Sequence, residues 1–286
     1  MKILVIGASG FVGYYIRKYF NADGTSSTFK EGYKKLNIAN KEEVFNFIRA
    51  NKYDLIINSA AIANVDECEK NPEIAKLING TAVEWISSAS QEIGAKFVQI
   101  STDYVFDGTR GDYKENDKPN PINEYGKSKL LGEENAIKYN KNSLVLRIEM
   151  PYGINLAKNK EVFFETLLKN LSEGKEVKVA ADQIISPTYV EDIPRAIDVL
   201  VSKDQKGIFH LASKEKLSRY DYAIKIAEVF RFNKDLIRKV MLDDLKLVAK
   251  RPKNTTLNTD KISNYFTIES LEKNLDKIRT NYRNYF

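Results

Sequence analysis

Short apolar segments alternate with longer amphipathic segments through the first half of the chain. The apolar segments predict strands at Ile3–Ile6, Thr25–Phe29, Asp54–Asn58, Lys96–Ile100 and Ser143–Arg147. Helix-like spacing between them predicts helices at Phe11–Phe20, Lys41–Asn51, Pro72–Ile93 and Glu124–Tyr139. This alternation is typical of an α/β fold, in which helices cover both faces of a doubly wound parallel sheet.

The pattern becomes less regular after about residue 150. It predicts helices at Glu161–Glu173, Val190–Val201 and Ser218–Phe230, and short strands at Val177–Ala180 and Gly207–Leu211. We therefore predict a dinucleotide-binding domain at residues 1–150 and a smaller α/β substrate-binding lobe at residues 151–286, interleaved with the first. At the end of the chain, Tyr282, Tyr285 and Phe286 either pack on the last helix or form an oligomer contact, and the sequence leaves monomer and homodimer open.

A glycine-rich loop follows the first predicted strand immediately. Gly7, Gly10 and Gly13 have the spacing G-x-x-G-x-x-G and lead into an amphipathic helix. Glycines allow a tight turn and let the backbone approach a pyrophosphate, while the helix N-terminus offers free N–H groups to the phosphates. The loop predicts a Rossmann-type domain that binds a nicotinamide dinucleotide.

The end of the second predicted strand bears on the choice of cofactor. Sites that prefer NAD place a carboxylate there to hold the ribose 2′-hydroxyl. This chain has Thr28 at that place, and Lys30 can meet a 2′-phosphate, although Glu31 lies next to it. We expect NADP(H) to be favoured, with NAD(H) possible.

Three side chains form a candidate catalytic set. Thr102 follows a predicted buried strand, at the sheet edge where open α/β sheets bind ligands. Tyr125 and Lys129 are four residues apart, so they share one face of a helix. Because a nearby ammonium stabilises a phenolate, we expect Lys129 to lower the pKa of Tyr125 and prepare it for proton transfer.

These motifs, in this order, resemble those of the short-chain dehydrogenase/reductase superfamily. Within its extended branch, the chain resembles the dTDP-4-dehydrorhamnose reductase family along nearly its whole length. The matching segments are NSAAIANVDECE (58–69), STDYVFDG (101–108), NPINEYGKSKLLGEE (120–134), DQIISPTYVEDI (182–193), GIFHLAS (207–213) and KRPKNTTLNTDK (250–261). The resemblance implies NAD(P)H-dependent reduction of the C4 ketone of a nucleotide-linked 6-deoxy-4-keto sugar, with dTDP-4-dehydrorhamnose as the leading substrate.

The resemblance also implies roles for particular residues. Thr102, Tyr125 and Lys129 would be catalytic, with Tyr125 supplying the proton. The glycine loop and the resemblance together give a cofactor-binding set of Gly7, Gly10, Phe11, Val12, Gly13, Thr28, Lys30, Asn37, Ile38, Ala60, Ala61, Ile62, Ala63, Tyr125 and Lys129. The expected substrate-binding set is Thr102, Asp103, Met150 and Gln183.

The chain departs from the family pattern near the expected ligands. Asn37 stands where the family usually has aspartate, and Ala63 where it usually has threonine. The family commonly has Arg-Thr-Ser-Trp-Val-Tyr-Gly where this chain has Arg-Ile-Glu-Met-Pro-Tyr-Gly (147–153), so Met150 replaces a tryptophan. Two alternatives therefore stay open: a reductase or epimerase of another nucleotide sugar, or a non-catalytic regulatory subunit that keeps the cofactor site.

Composition and charge bear on whether the protein binds nucleic acid, membranes or metal ions. The net charge of +6 is scattered over both halves, whereas a nucleic-acid binder concentrates basic residues on one surface. No apolar stretch approaches the roughly 20 residues that span a bilayer, and we expect a cytoplasmic protein without membrane contact. We expect no metal: Cys68 has no ligand neighbours, His210 has a structural role, and Asp66, Glu67 and Glu69 are solvated or cap a helix.

Overall fold

The computed structural model describes residues 1–158 and 161–281, so Tyr282, Tyr285 and Phe286 lie outside the described residues. The strands in those ranges are β1 (Ile3–Ile6), β2 (Asp23–Ser26), β3 (Lys34–Lys35), β4 (Leu55–Asn58), β5 (Lys96–Thr102), β6 (Ser143–Ile148), β7 (Val177–Ala180), β8 (Ile184–Ile185), β9 (Gly207–Leu211), β10 (Leu217–Ser218) and β11 (Ile237–Val240). Seven of these described strands form one parallel sheet in the order β3-β2-β1-β4-β5-β6-β9.

The α-helices of the described ranges are α1 (Phe11–Phe20), α2 (Lys41–Asn51), α3 (Val65–Lys70), α4 (Pro72–Lys76), α5 (Ala82–Glu92), α6 (Glu124–Tyr139), α7 (Phe163–Ser172), α8 (Asp192–Ser202), α9 (Arg219–Phe230), α10 (Asp260–Ser263) and α11 (Leu271–Asn281). A π-helical segment, Leu77–Thr81, joins α4 to α5, so the long helix predicted there is interrupted. Within residues 1–158 and 161–281, no helix has the length and apolar composition needed to cross a membrane.

The central strands are buried on both faces. All four residues of β1 and of β4 are inaccessible, as their apolar sequences predict. On one face the sheet packs against α1 and α8, and on the other it packs against α2 and α5. The predicted α/β fold, with a doubly wound parallel sheet, is confirmed.

A second apolar cluster lies in the C-terminal part of the chain. It packs α7, α9 and α11 against the parallel pair β7 and β11. Strand β9 does not belong to this cluster, because it pairs in parallel with β6 and completes the central sheet. The two lobes therefore interleave along the chain, and the division near residue 150 stays a prediction.

Strand β2 begins and ends earlier than predicted. The prediction was Thr25–Phe29, whereas parallel pairing with β1 sets Asp23 beside Leu4 and Gly24 beside Val5. The polar sequence of this strand has no apolar alternation to mark its bounds, so the neighbouring strand decides them. The chain leaves the sheet after Ser26, which puts Thr28 in an exposed loop.

A buried ion pair ties α6 to β6. The Arg147 guanidinium donates from Nε to Glu133 Oε1 at 2.9 Å and from Nη2 to Glu133 Oε2 at 2.6 Å. Both side chains are almost fully inaccessible, at 1% and 2% exposure. A two-pronged pair of this kind fixes orientation as well as distance, so α6 is held in one position on the sheet.

Glu133→Gln should destabilise the fold strongly, because it leaves the Arg147 charge buried without its partner. Removing one member of a buried ion pair typically costs about 3–5 kcal/mol in free energy of unfolding. Urea denaturation measures this loss. The matched control is Glu92→Gln, which breaks an exposed Arg49–Glu92 pair and should leave stability nearly unchanged. Equal effects of the two variants would contradict this role for the buried pair.

Candidate active site

A cavity of about 700 Å³ opens at the carboxyl edge of the central sheet, where β1, β4, β5 and β6 end. Open α/β sheets bind ligands at this edge. The cavity brings together thirteen residues of the predicted sites. They are Gly10, Phe11, Val12, Gly13, Ala61, Ile62, Ala63, Thr102, Asp103, Tyr125, Lys129, Met150 and Gln183.

The glycine loop leaves backbone space that larger residues would fill. Gly7 has a φ of +75°, and a Cβ there would lie 2.6 Å from the Cα of Ala60. A Cβ on Gly13 would lie 2.3 Å from the carbonyl oxygen of Gly7, so strand and helix touch. Gly10 begins α1 without a side-chain cap. The first-turn N–H groups are therefore available to the cavity, and this donor set fits the pyrophosphate of a dinucleotide.

The Asn79 side chain, which no sequence motif marked, holds the loop after β4. Asn79, on the π-helical segment, accepts the backbone N–H of Ile62 at 2.8 Å and donates to its carbonyl oxygen at 3.0 Å. The Asn79 amide also donates to Ser128 Oγ on α6 at 3.0 Å. These bonds connect the loop at Ile62, which lines the cavity, to the helix that carries the Tyr/Lys pair.

Helix α6 places Tyr125 and Lys129 at the cavity. Asn123 caps the helix by accepting the Gly126 N–H at 2.8 Å. The Tyr125 ring packs edge-on against Tyr104, with 5.8 Å between the ring centroids. The buried Lys129 ammonium donates to the carbonyl oxygen of Ile100 at 2.7 Å. The pair therefore faces β5 at the carboxyl edge of the sheet.

The expected effect of Lys129 on Tyr125 is wrong for the protein alone. Burial raises the pKa of Tyr125 well above its ordinary value, and a hydrogen bond with Thr102 offsets this only in part. Burial also lowers the pKa of Lys129, to about 8. The sequence showed the spacing of the pair but not how far burial shifts the pKa of each group. The phenol is protonated at neutral pH, as an ordinary tyrosine is.

Thr102 is the last residue of β5, two residues beyond the predicted end of that strand. Its hydroxyl accepts the Tyr104 N–H at 3.2 Å and donates to Asp103 Oδ1 at 3.0 Å. Thr255 donates to the other carboxylate oxygen of Asp103. Burial nevertheless raises the pKa of Asp103 to about 7, so this carboxyl titrates near neutral pH.

The cavity also contains a cation that the sequence did not reveal. Arg219, at the start of α9, donates to Gln183 Oε1 at 3.2 Å and stacks over the Phe163 ring at 4.4 Å. Both neighbours line the same cavity, so the guanidinium belongs to the candidate substrate end. No sequence motif marked it, because its place depends on how the C-terminal elements pack.

The chain matches the family model described as the RmlD substrate binding domain over residues 1–283. It belongs to this family. A dTDP-4-dehydrorhamnose reductase of Escherichia coli is 34% identical over 287 residues, which cover 94% of this chain and 93% of the relative. The methionine adenosyltransferase 2 subunit beta of Rattus norvegicus is 30% identical over 273 residues, covering 91% and 81%.

A solved structure shows the same fold. The dTDP-4-dehydrorhamnose reductase of Bacillus anthracis, crystallised in complex with NADP, superposes with a TM-score of 0.88 at 29% identity. The match covers 98% of this chain and all of the other. The resemblance to the dTDP-4-dehydrorhamnose reductase family, predicted from the motifs, is thus confirmed.

Within residues 1–158 and 161–281, six of the predicted cofactor-binding residues do not line the cavity. These are Gly7, Thr28, Lys30, Asn37, Ile38 and Ala60. Gly7 and Ala60 instead form the close strand–loop contact behind it. The Lys30 ammonium lies over the Tyr33 ring, 5.2 Å from its centroid. At the end of β2, neutral hydroxyls of Ser9 and Ser26 meet at 3.3 Å. The roles of these six residues remain predictions.

The acidic segment after β4 has structural partners. Asp66 accepts from Arg251 at 2.8 Å, and Glu69 accepts the Glu124 N–H at the start of α6 at 3.0 Å. Across residues 1–158 and 161–281, no group of His, Cys, Asp and Glu side chains is arranged to hold a metal ion. His210 lies buried in β9, hydrogen-bonded to Arg147 and to the Asn258 carbonyl oxygen.

One departure from the family pattern lies where β6 ends. Met150 lines the cavity with a left-handed φ of +34°, an unusual conformation for a residue other than glycine. Beside it, Glu149 is 1% exposed, and burial raises its pKa well above the ordinary value. The missing tryptophan was visible in the sequence. Glu149 was not recognised as a site residue, although a carboxyl shortly after a predicted strand is a signal.

Asp103 should make stability depend on pH. Its pKa is about 7 in the folded protein against an ordinary 3.8, so the folded state binds more protons between these values. The free energy of unfolding of the wild type, relative to Asp103→Asn, should therefore fall as pH rises from about 4 to 7.

Urea denaturation of the wild type and of Asp103→Asn across this pH range tests the predicted pH dependence of stability. Asp243→Asn removes an exposed aspartate and should keep the pH slope of the wild type. Parallel slopes for wild type and Asp103→Asn would show that Asp103 titrates like an exposed residue.

Proposed function

We propose that this protein is an NAD(P)H-dependent reductase of the C4 ketone of a nucleotide-linked 6-deoxy-4-keto sugar, with dTDP-4-dehydrorhamnose as the leading substrate. One observation carries the proposal: Thr102, Tyr125 and Lys129 line the same cavity as the uncapped N-terminus of α1. Family membership supports it, since relatives in this family carry the name dTDP-4-dehydrorhamnose reductase.

The cavity residues can supply the proton that a ketone reduction needs. A bound nicotinamide cofactor supplies the hydride for the carbonyl carbon. Tyr125 carries a proton on its hydroxyl at neutral pH, and it can donate that proton to the carbonyl oxygen. Thr102, hydrogen-bonded to Tyr125, orients the phenol. Hydride on carbon and proton on oxygen together give the alcohol.

The part of the cavity that Arg219 lines suits an anionic nucleotide diphosphate. The Arg219 guanidinium is held in place by the Phe163 ring and the Gln183 side-chain amide. Guanidinium groups bind phosphate oxygens in a two-pronged way. We assign Arg219 to the diphosphate of the substrate.

For the cofactor we propose a modest preference for NADPH over NADH. The relative from Bacillus anthracis was crystallised with NADP, and here the neutral hydroxyl of Ser26, the last residue of β2, meets that of Ser9. Residues Ser26 to Thr28 include no carboxylate that would oppose a 2′-phosphate. Lys30, four residues beyond β2, is partly exposed, and Glu31 follows it.

Lys30→Ala should reduce the preference for NADPH about two- to five-fold, because an exposed ion pair is worth about 0.2–1 kcal/mol. The Michaelis constant for NADPH should rise while that for NADH stays constant. Steady-state kinetics with both cofactors at low and moderate salt measure this. Lys35→Ala, which removes an exposed lysine from β3, is the control. Equal effects of Lys30→Ala on both cofactors would refute the assignment.

A second candidate function has one observation in its favour. The rat relative is a subunit of methionine adenosyltransferase, so part of the family is named for another role. A non-catalytic subunit of the same fold would bind cofactor and show no turnover. The complete Thr102, Tyr125 and Lys129 set favours the reductase.

A substrate panel separates these functions. Purified protein is mixed with NADPH or NADH and with 4-keto sugars carried on different nucleotides, and absorbance of the reduced nicotinamide is followed. A reductase consumes NADPH with at least one 4-keto nucleotide sugar. Binding of NADPH without turnover of any member would favour the regulatory function.

Tyr125→Phe should lower kcat about 10²–10⁴-fold, the usual contribution of a positioned general acid. NADPH affinity, measured by calorimetry, should change little because only one hydroxyl is removed. Tyr139→Phe, at the other end of α6, is the matched control and should keep wild-type turnover. Wild-type turnover in Tyr125→Phe would remove this residue from the mechanism.

A further inference from the structure

Glu149 occupies a place at the cavity that the proposed reaction does not use. Strands β5 and β6 pair in register, with Thr102 beside Ile148. Asp103 and Glu149 each follow one of these partners, so two buried carboxyls stand at neighbouring strand ends. Both line the same cavity as Tyr125.

The surrounding structure holds Glu149 firmly. Its N–H donates to Thr188 Oγ1 at 3.0 Å, and its carbonyl oxygen accepts the Thr188 N–H at 2.8 Å. Its side-chain Oε2 accepts the hydroxyl of Ser186. Ser186 is itself fixed, because its hydroxyl accepts the Leu257 N–H at 3.2 Å. The carboxyl is therefore set in one orientation before any ligand binds.

The second oxygen of this carboxyl has no partner. Among the described residues, nothing hydrogen-bonds Glu149 Oε1, although the side chain is 1% exposed. Leaving a buried polar atom unsatisfied costs roughly 1–3 kcal/mol. The neighbouring Asp103 differs, because both of its carboxylate oxygens are paired, one with Thr102 and the other with Thr255. Glu149 lines the ligand cavity, where a bound molecule can complete the hydrogen bonding of this oxygen.

We propose that Glu149 is a specificity-determining residue, whose Oε1 hydrogen-bonds a hydroxyl of the sugar near the reacting carbonyl. This inference rests on the proposed function and narrows its substrate class to sugars that carry such a hydroxyl. The family commonly has serine and tryptophan where this chain has Glu149 and Met150. Glutamate is longer and more polar than serine, and the methionine thioether is more flexible than a tryptophan ring.

The protonation state of Glu149 sets the kind of bond. Burial and the neighbouring Asp103 carboxyl both raise the pKa of Glu149 well above its ordinary value, which favours the protonated form. A protonated carboxyl donates as well as accepts, so in that form it can pair with a hydroxyl without burying a charge. Glutamine has the same shape and the same two capacities, which makes it the matched conservative variant.

Calorimetry with two probes tests the proposal. The probes are dTDP-rhamnose, which carries the sugar, and dTDP, which lacks it. Glu149→Ala should weaken dTDP-rhamnose binding about 10- to 100-fold and leave dTDP binding unchanged. Glu149→Gln should keep dTDP-rhamnose affinity within about threefold of wild type. Glu176→Ala, at an exposed carboxyl that pairs with Arg238 and does not line the cavity, should change neither affinity.

The outcomes separate this proposal from the proposed function. Equal affinity of wild type and Glu149→Ala for dTDP-rhamnose would overturn the role of Glu149 while leaving the reductase intact. An equal loss of dTDP affinity in Glu149→Ala would also overturn this role. So would a loss of dTDP-rhamnose affinity in Glu149→Gln as large as the loss in Glu149→Ala. A wild-type protein that binds dTDP-rhamnose no better than dTDP, and reduces no nucleotide sugar, would overturn the proposed function and this inference together.

Discussion

The buried ion pair between Arg147 and Glu133 holds together the two elements on which the site depends. Helix α6 carries Tyr125 and Lys129, and β6 leads into Glu149 and Met150. Because neither charge can reach water, the pair is satisfied in one arrangement only. The position of the Tyr125 phenol relative to Glu149 and Met150 therefore follows from a contact outside the cavity.

Parallel pairing supplies the rest of the geometry. The glycine loop, the loop at Ala61–Ala63, the Thr102–Asp103 pair and Glu149 all follow strands that end at the same edge. The same burial that packs these strands also sets the chemistry, since it raises the pKa of Tyr125 and of the two carboxyls. Fold and acid–base behaviour thus have one physical cause.

The sequence predicted what depends on local pattern. Glycine spacing, the four-residue step from Tyr125 to Lys129 and the apolar central strands were all visible in it. The bounds of β2 could not be predicted from the sequence, because that strand is polar and pairing with β1 sets its register. The direction of the Tyr125 pKa shift was missed because burial arises only from packing. Asn79, Arg219 and Glu149 were missed for the same reason: their partners lie far away in the chain.

The central claim is that this cavity directs a hydride to the C4 carbon of a nucleotide sugar. The most direct measurement uses NADPH with deuterium at the transferable position and dTDP-4-dehydrorhamnose as substrate, followed by mass spectrometry and NMR of the sugar nucleotide. The account predicts one deuterium, located on C4 of the product. NADPH consumption that leaves the sugar nucleotide unlabelled, or deuterium at another carbon, would contradict it.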